Sequence, residues 1–270
     1  MHEVWPLAYA DKDSSEPLLD HLVRTACLAR CLFGYRAKVL LLRWGRRWDP
    51  DQALWMLGFL HDIGKASDTY RSTGFSGGRL SFPLHEYVSA LLVYRCGDIV
   101  LKHNECLGDL IKVLAKSIAR HHAAMIDRDP TTVMNLMRPL ENRIREVLRG
   151  MEESMLRSLL EEGLRRSPYS DLVAVIEPAM LEALEELKEQ RSLHQALLKL
   201  KASSEDLWII TGLTGFLVLA DNIVANASRR SSVDGFTPLY ILTWKRELRE
   251  SLQRCSTCLQ GSFKGSTADL

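Results

Sequence analysis

The sequence lacks several features that would assign it to a broad class of protein. Among its 270 residues are only six cysteines, which is sparse for a disulfide scaffold and fits a reducing cytoplasm better. The 35 basic and 34 acidic residues nearly cancel, so no global charge attracts nucleic acid. No basic segment followed by an apolar core opens the chain, and no run of about 18 uncharged apolar residues predicts a membrane span. We therefore expect a globular cytoplasmic protein.

The cysteines themselves offer little chemistry. Cys27 and Cys31 are one helical turn apart and are expected in the core. Cys255 and Cys258 form a single C-x-x-C pair in a polar segment. A structural zinc site needs about four ligands, and no second pair of this kind is present. We interpret residues 254–270 as a flexible tail with two free thiols.

Apolar residues recur with helical period almost throughout, so we predict an all-α fold in one domain over residues 1–253. The first helix is expected to close at Gly34, and Asp49-Pro50 to open the next one, which should stop at Gly64. Only the segment GFSGGRLSF suggests a hairpin or loop. Residues 126–203 contain amphipathic, charge-rich stretches, which predict a helical insertion or cover.

The chemistry lies in histidines and aspartates placed in these apolar helices, where a polar side chain needs a reason to be present. Imidazole and carboxylate groups together hold divalent metals. The candidate metal ligands, in chain order, are His21, His61, Asp62, His85, His121, His122 and Asp221.

Their spacing permits a site for two ions. Where the helix ends near Gly64, His61 and Asp62 can converge, and Asp62 can bridge two metals with its two oxygens. His21 and Asp221 would complete one ion, and His85 with the histidine pair the other. A pair of ions about 3.5–4 Å apart is the usual arrangement for cleaving phosphate esters. Lys65 either contacts a phosphate or keeps Asp62 ionised; the alternative is a solvated lysine at a helix end.

The order H…HD…H…HH…D resembles the HD superfamily of metal-dependent phosphohydrolases. The segments DHLVRTACLA, LGFLHDIGKAS, HEYVSALL, SIARHH and LADNIVA are similar to motifs of the HD nuclease of type I CRISPR interference. In this chain Ser89 lies at the serine position of the family's H-x-x-x-S motif. One departure is Ala225, where the family often has a small hydroxyl residue four positions after the late aspartate. The chain contains no P-loop, so the resemblance is to the form that stands apart from its helicase.

The resemblance implies an HD-domain helical bundle with an additional helical block between the double histidine and the late aspartate. It implies metal-dependent cleavage of single-stranded DNA, or RNA, by in-line attack of a metal-activated hydroxide on phosphorus. Asp62 and Lys65 would be the catalytic residues. One or two Mn²⁺, Mg²⁺, Ni²⁺ or Co²⁺ ions would be the cofactors, and a helicase subunit and the CRISPR surveillance complex the partners.

A surface for a nucleic-acid strand is less defined. Arg120 flanks the histidine pair, and Arg229 and Arg230 follow the helix of Asp221, so we predict that these three contact the strand. The segment from Arg43 to Trp48 mixes cations with aromatics, but we favour tryptophans buried in the core.

Two other functions share these residues. An HD phosphohydrolase of nucleotides or other small phosphate esters would use the same ions. A non-catalytic helical adaptor would hold a metal only for stability. Cleavage assays separate these from the nuclease. A further rival, a di-iron oxygenase of the HD type, has less support, because Lys65 and the double histidine resemble the nuclease branch.

Overall fold

The structure is a computed structural model, and it describes residues 5–10, 15–73, 75–76, 79–122, 137–190, 192–201, 205–228, 250–251 and 253–259. The described chain is 77% helical, as the periodicity predicts. Its strands form two short antiparallel pairs. Strand β1 (Leu7–Ala10) pairs with β2 (Ser15–Pro17), and β3 (Phe75–Ser76) pairs with β4 (Arg79–Leu80), where the sequence suggests a hairpin.

Five helices form the centre of the molecule. They are α1 (Leu18–Arg43), α2 (Pro50–Leu60), α4 (His85–Leu101), α5 (Glu105–Ile118) and α10 (Leu207–Ser228). Helix α1 packs against α2 and α10, and α4 packs against α5, while α2 and α10 both contact α5. The Asp49 carboxylate accepts the Asp51 N–H at 2.9 Å and caps α2, as predicted. One apolar core runs through all five helices.

Shorter helices surround this centre. Helix α3 (Asp68–Thr73) follows a 3₁₀ turn, Ile63–Ala66. The charge-rich block contains α6 (Met137–Arg149), α7 (Glu153–Arg165), α8 (Val173–Glu189) and α9 (His194–Lys199), and a helical turn, α11 (Ser256–Leu259), lies near the C-terminus. Helix α8 packs along α4, and α7 packs on α8, so the block covers one side of the central helices.

Helix α1 is longer than the sequence predicts, because Gly34 lies inside it and does not end it. A single glycine costs a helix only about 1 kcal/mol, which packing can outweigh. A Cβ at Gly34 would lie 2.6 Å from Asp51 Oδ1, so the glycine permits close approach of the α2 N-terminus. The α2 helix ends at Leu60, and Gly64 belongs to the 3₁₀ turn.

The tail prediction is wrong for its cysteines. Cys255 and Cys258 are buried, and they are bonded to Cys31 and Cys27 of α1. These four side chains therefore fix the C-terminal segment to α1, and only residues 260–270 of the expected tail lie outside the described chain.

The expectation for the tryptophans holds for one of two. Trp48 is buried, but Trp44 is 40% exposed and stacks on Trp208, which is 61% exposed. Trp44 lies just past the last turn of α1, beyond the core contacts of that helix.

Helix α10 is, among the described residues, the one helix whose length and composition would suffice to cross a membrane. Core helices of globular proteins meet the same test, so this is weak evidence. In this fold α10 packs against α1, α2 and α5 and carries Asp221 toward the histidines.

Candidate metal centre

The fold brings all seven predicted ligands to one place. They are His21 of α1, His61 and Asp62 after α2, His85 at the start of α4, His121 and His122 after α5, and Asp221 of α10. Five separate helices therefore contribute to the site. Helices α1, α4 and α10 carry ligands themselves, and the ligands of α2 and α5 lie in the residues that follow these helices.

Asp62 lies between two halves of this cluster. Its Oδ2 atom is 3.7 Å from Nε2 of His21 and 3.4 Å from Nε2 of His61. Its Oδ1 atom is 3.0 Å from Nε2 of His85 and 3.4 Å from Nε2 of His121. Each carboxylate oxygen thus faces a different pair of imidazoles, as a bridging ligand would.

Two further side chains complete the halves. Asp221 Oδ1 lies 3.1 Å from His21 Nε2 and 3.7 Å from His61 Nε2. On the other side, His122 Nε2 lies 3.1 Å from His85 Nε2. The ligand atoms of His21, His61 and Asp221 all lie within 4.8 Å of one another, and so do those of the second group, Asp62, His85, His121 and His122.

The backbone orients three of the histidines in the same way. The Nδ1 atom of each is within hydrogen-bond distance of a carbonyl oxygen three residues earlier, at 2.8 Å for His61, 2.5 Å for His85 and 2.7 Å for His121. With Nδ1–H donating to the backbone, Nε2 carries the lone pair and points into the cluster. This outer hydrogen bond is the usual companion of a metal-binding imidazole.

Several atoms at the centre of the cluster make no hydrogen bond with any described group. They are Nε2 of His21, His61 and His121, and Oδ1 of Asp62. They lie within 3.0–3.7 Å of charged neighbours, but without hydrogen-bond geometry. Unpaired buried polar atoms are costly and rare. Convergence of four such donor atoms is the property expected where a metal ion binds.

The charges of the site also suit cations. Burial by itself would raise the pKa of the Asp62 and Asp221 carboxyls, but neighbouring cationic groups hold both pKa values well below the usual range. Burial likewise disfavours a protonated His21 or His61, yet the carboxylates outweigh it. The pKa of His21 is raised and that of His61 is raised to about 10. In the metal-free site protons occupy positions that a divalent cation would take.

Lys65 is not a solvated helix-end lysine. Its Nζ atom is 2.5 Å from Asp62 Oδ2 and donates to the Ala8 carbonyl at 3.3 Å. It also lies over the Phe82 ring, 5.1 Å from the centroid. The structure therefore favours the alternative in which Lys65 keeps Asp62 ionised.

Glycines allow the ligand-bearing segments to approach each other. A Cβ at Gly64 would lie 2.5 Å from the His85 carbonyl oxygen, and Gly64 N–H donates to Ser89 Oγ at 2.9 Å. A Cβ at Gly58 would lie 2.6 Å from Ala26 Cα on α1. The serine and the glycine of the two sequence motifs thus hold His61-Asp62 against His85.

Glu16 is a site residue that the sequence does not reveal. It is buried on β2, and its Oε2 atom lies 3.2 Å from Nδ1 of His21. Its Oε1 atom accepts from Arg24 at 3.0 Å and from Ser228 Oγ at 2.6 Å. Burial would raise the Glu16 pKa, but His21 and these other partners lower it. The Glu16 carboxylate therefore orients the imidazole of His21, as backbone carbonyls orient those of His61, His85 and His121. Glu16 belongs to no helical or spacing pattern that could have identified it.

Of the three arginines predicted to contact a nucleic-acid strand, the structure describes one. The Arg120 guanidinium donates to the carbonyls of Lys116 at 2.6 Å and Leu200 at 3.0 Å, which ties it to the packing of α5 and the end of α9. Arg229 and Arg230 lie outside the described residues.

Comparison with known proteins identifies a family. A family model described as Cas3, HD domain, matches residues 8–229, about four fifths of the chain. Neither a curated protein nor a solved structure matches the sequence. The matched range begins before Glu16 and ends after Asp221, so it contains every residue of the cluster.

Proposed function

The chain belongs to the Cas3 HD-domain family, and we propose that it is a nuclease that cleaves single-stranded DNA. Membership of this family supports a metal-dependent hydrolase that acts in CRISPR defence. The preference for a single DNA strand, the choice among Mn²⁺, Mg²⁺, Ni²⁺ and Co²⁺, and action with a helicase and the CRISPR surveillance complex are parts of the proposal.

The observation that carries the proposal is the position of Asp62 between two sets of imidazoles. His21, His61 and Asp221 would hold one ion, and His85, His121 and His122 the other, with Asp62 shared between them. Imidazole donors favour transition metals over Mg²⁺, which prefers oxygen ligands. Bound ions would supply Lewis-acid chemistry: they would neutralise phosphate oxygens and acidify a water molecule.

The protein's own groups then have distinct tasks. His61 and Lys65 lower the pKa of Asp62, so the carboxylate stays ionised and both of its oxygens remain available to cations. The backbone carbonyls hold Nδ1 of His61, His85 and His121, so Nε2 is the atom that each of these imidazoles directs to a cation. The burial of His61, Asp62 and His121 keeps bulk water away from their ligand atoms.

Substrate would approach from the side of the most accessible ligands. The Asp221 side chain is 17% exposed and His122 is half-buried, whereas the side chains of His61 and Asp62 are at most 2% exposed. We therefore propose that the scissile phosphate enters between the C-terminal end of α5 and the middle of α10.

The test is cleavage of a labelled single-stranded DNA oligonucleotide with each of the four metals and with EDTA. Duplex DNA, RNA and a panel of nucleotides are measured beside it. Asp62→Ala should abolish cleavage while the protein stays folded, because it removes the shared ligand. Asp171→Ala is the matched control, since Asp171 is an exposed carboxylate of the charge-rich block and is not part of the cluster.

Each outcome has a meaning. Metal-dependent cleavage of the single strand that Asp62→Ala loses and Asp171→Ala keeps would support the nuclease. Intact oligonucleotide with hydrolysis of nucleotides would instead assign a small-substrate phosphohydrolase. Bound metal without hydrolysis of any substrate would indicate an adaptor. Cleavage at the wild-type rate in Asp62→Ala would refute the mechanism.

A further inference from the structure

Four of the six cysteines meet at one place, away from the histidine cluster. Cys27 and Cys31 lie one turn apart on α1, and Cys255 and Cys258 lie three residues apart, just before and within α11. Their Cα atoms pair across the two segments at 5.5 Å for Cys27 and Cys258, and at 5.9 Å for Cys31 and Cys255. The structure joins them as two neighbouring cystines.

We propose that in the reduced protein these four thiolates bind one structural zinc ion. A C-x₃-C pair on a helix and a C-x-x-C pair on a helical turn both have the spacing of zinc-chelating pairs. Such spacing directs both sulfurs of each pair toward the facing segment. Two cystines and one tetrahedral zinc site each take two cysteines from each segment, so the same four side chains can form cystines when oxidised and bind zinc when reduced.

The geometry is compatible with one ion between the segments. With Zn–S bonds of about 2.3 Å in a tetrahedron, neighbouring sulfurs lie about 3.8 Å apart. The facing cysteines, whose Cα atoms are 5.5–5.9 Å apart, can reach that sulfur separation across each of the two pairs. Binding converts four thiols to thiolates and releases four protons, with no change of oxidation state.

The surroundings of the four cysteines are apolar on one side. Cys255 and Cys258 are buried with Leu28 and Val224, and Ile223 packs against the same cluster, whereas Cys27 is half-buried and Cys31 is exposed. The tetrathiolate ion would carry two negative charges. Arg254 precedes Cys255 directly in the chain, and its guanidinium donates to Ser251 Oγ at 3.2 Å.

The remaining cysteines also support thiolates over cystines. Cys96 is free and buried, and Cys106 is free and exposed. An exposed thiol can exchange with neighbouring disulfides through a mixed disulfide. A free exposed thiol is therefore more typical of proteins that remain in a reducing environment, where cysteine clusters bind metal.

The proposed zinc site lies close to the histidine cluster along two shared helices, α1 and α10. Cys27 follows His21 by six residues on α1, about 9 Å along the helix axis. Val224, which packs on the cysteines, follows Asp221 by three residues on α10. A zinc ion here would hold the C-terminal segment against the two helices that carry His21 and Asp221. The cysteine-bearing segment at 253–259 lies beyond the residues matched by the family, so this clamp is an addition to the shared domain.

The first experiment counts thiols. Protein expressed with zinc and purified without oxidation is denatured with a chelator, and its free thiols are titrated. Zinc ligation predicts six reactive thiols per chain, whereas two cystines leave only two, Cys96 and Cys106. A count of two would overturn the proposal, and this measurement requires no variant to fold.

The second experiment identifies the ligands. Co²⁺ replaces zinc in the purified protein, and its thiolate charge-transfer absorption in the near ultraviolet is recorded. His and Asp ligands give no such band, so the histidine cluster does not interfere. The band should appear in the wild type and in Cys106→Ser, and it should be lost in Cys255→Ser/Cys258→Ser. Six thiols without a thiolate–Co²⁺ band in the wild type would also overturn the proposal. Neither readout depends on nuclease activity.

Discussion

Glu16 gives the sharpest test of how the metal centre is built. Its carboxylate lies 3.2 Å from Nδ1 of His21, whose Nε2 points toward Asp221 and Asp62. We predict that Glu16→Gln weakens metal binding without unfolding the protein. Glutamine keeps an oxygen that can accept from His21 but loses the negative charge that raises the basicity of the imidazole.

The magnitude follows from the position of this carboxylate. Removing an outer partner of a metal-binding histidine typically lowers metal affinity about 10–100-fold, or about 1.4–2.7 kcal/mol. The loss should be confined to one half of the site, because Glu16 contacts His21, while the group containing His85, His121 and His122 is oriented by other bonds. A Mn²⁺ titration should therefore lose affinity for one ion and retain it for the other.

Isothermal titration with Mn²⁺ is the assay, and Ser228→Ala is the control. Ser228 donates to Oε1 of Glu16 and leaves Oε2 on His21, so its loss should cost about 1 kcal/mol of stability and little metal affinity. Thermal unfolding of the metal-free variants separates folding from binding. Wild-type affinity for both ions in Glu16→Gln would refute this account. Equal weakening of both ions would show that Glu16 acts through the fold and not through His21.

Three further predictions test the site and its packing. Bound metal stabilises only the folded state, so removing it with EDTA should lower the midpoint temperature of unfolding. The free energy of unfolding should fall by about 2.7 kcal/mol if the ion was present at 100 times its Kd. An unchanged midpoint would contradict a metal site. The pKa of His61 lies at about 10 in the metal-free protein, above its ordinary 6.5, so metal competes with a proton there. As the pH increases from 6.5 toward 10, the affinity for Mn²⁺ should therefore rise and the free energy of unfolding of the metal-free protein should fall. Titrations and melting curves that do not change across this range would contradict this prediction. Gly163→Ala should destabilise the protein by about 1–3 kcal/mol in urea unfolding, because a Cβ would lie 2.1 Å from the Phe59 ring. Gly215→Ala, whose Cβ would meet no described atom within 4 Å, should be neutral or stabilising; the reverse order would be evidence against this packing.

The sequence predicts the fold class and the identity of the clustered side chains. Helical periodicity determines the all-α fold, since every long amphipathic stretch has one apolar face to bury. The residue types and their order predict which histidines and aspartates come together, because polar side chains in apolar helices need a common partner. Their residue numbers can be read from the chain, whereas the distances between them cannot.

Local signals fail where distant packing outweighs them. Gly34 has the character of a helix end, but α1 continues to Arg43 because the adjacent segment of α2 packs against it. Lys65 is ambiguous in sequence and becomes a partner of Asp62 only when the 3₁₀ turn folds its side chain back.

The cysteines and Glu16 show what tertiary structure alone decides. In the sequence Cys255 and Cys258 are a lone pair, and more than 220 residues separate them from Cys27 and Cys31. No periodicity links such distant positions; only the docking of the C-terminal segment on α1 makes them one four-sulfur cluster. Glu16 likewise lies in a polar strand with no motif, and it becomes the partner of His21 because β2 leads directly into α1. Composition and periodicity thus determined the helices and the type of chemistry, since both depend on local side-chain character. Long-range packing decided the partners of each group, since those contacts join residues that no local pattern relates.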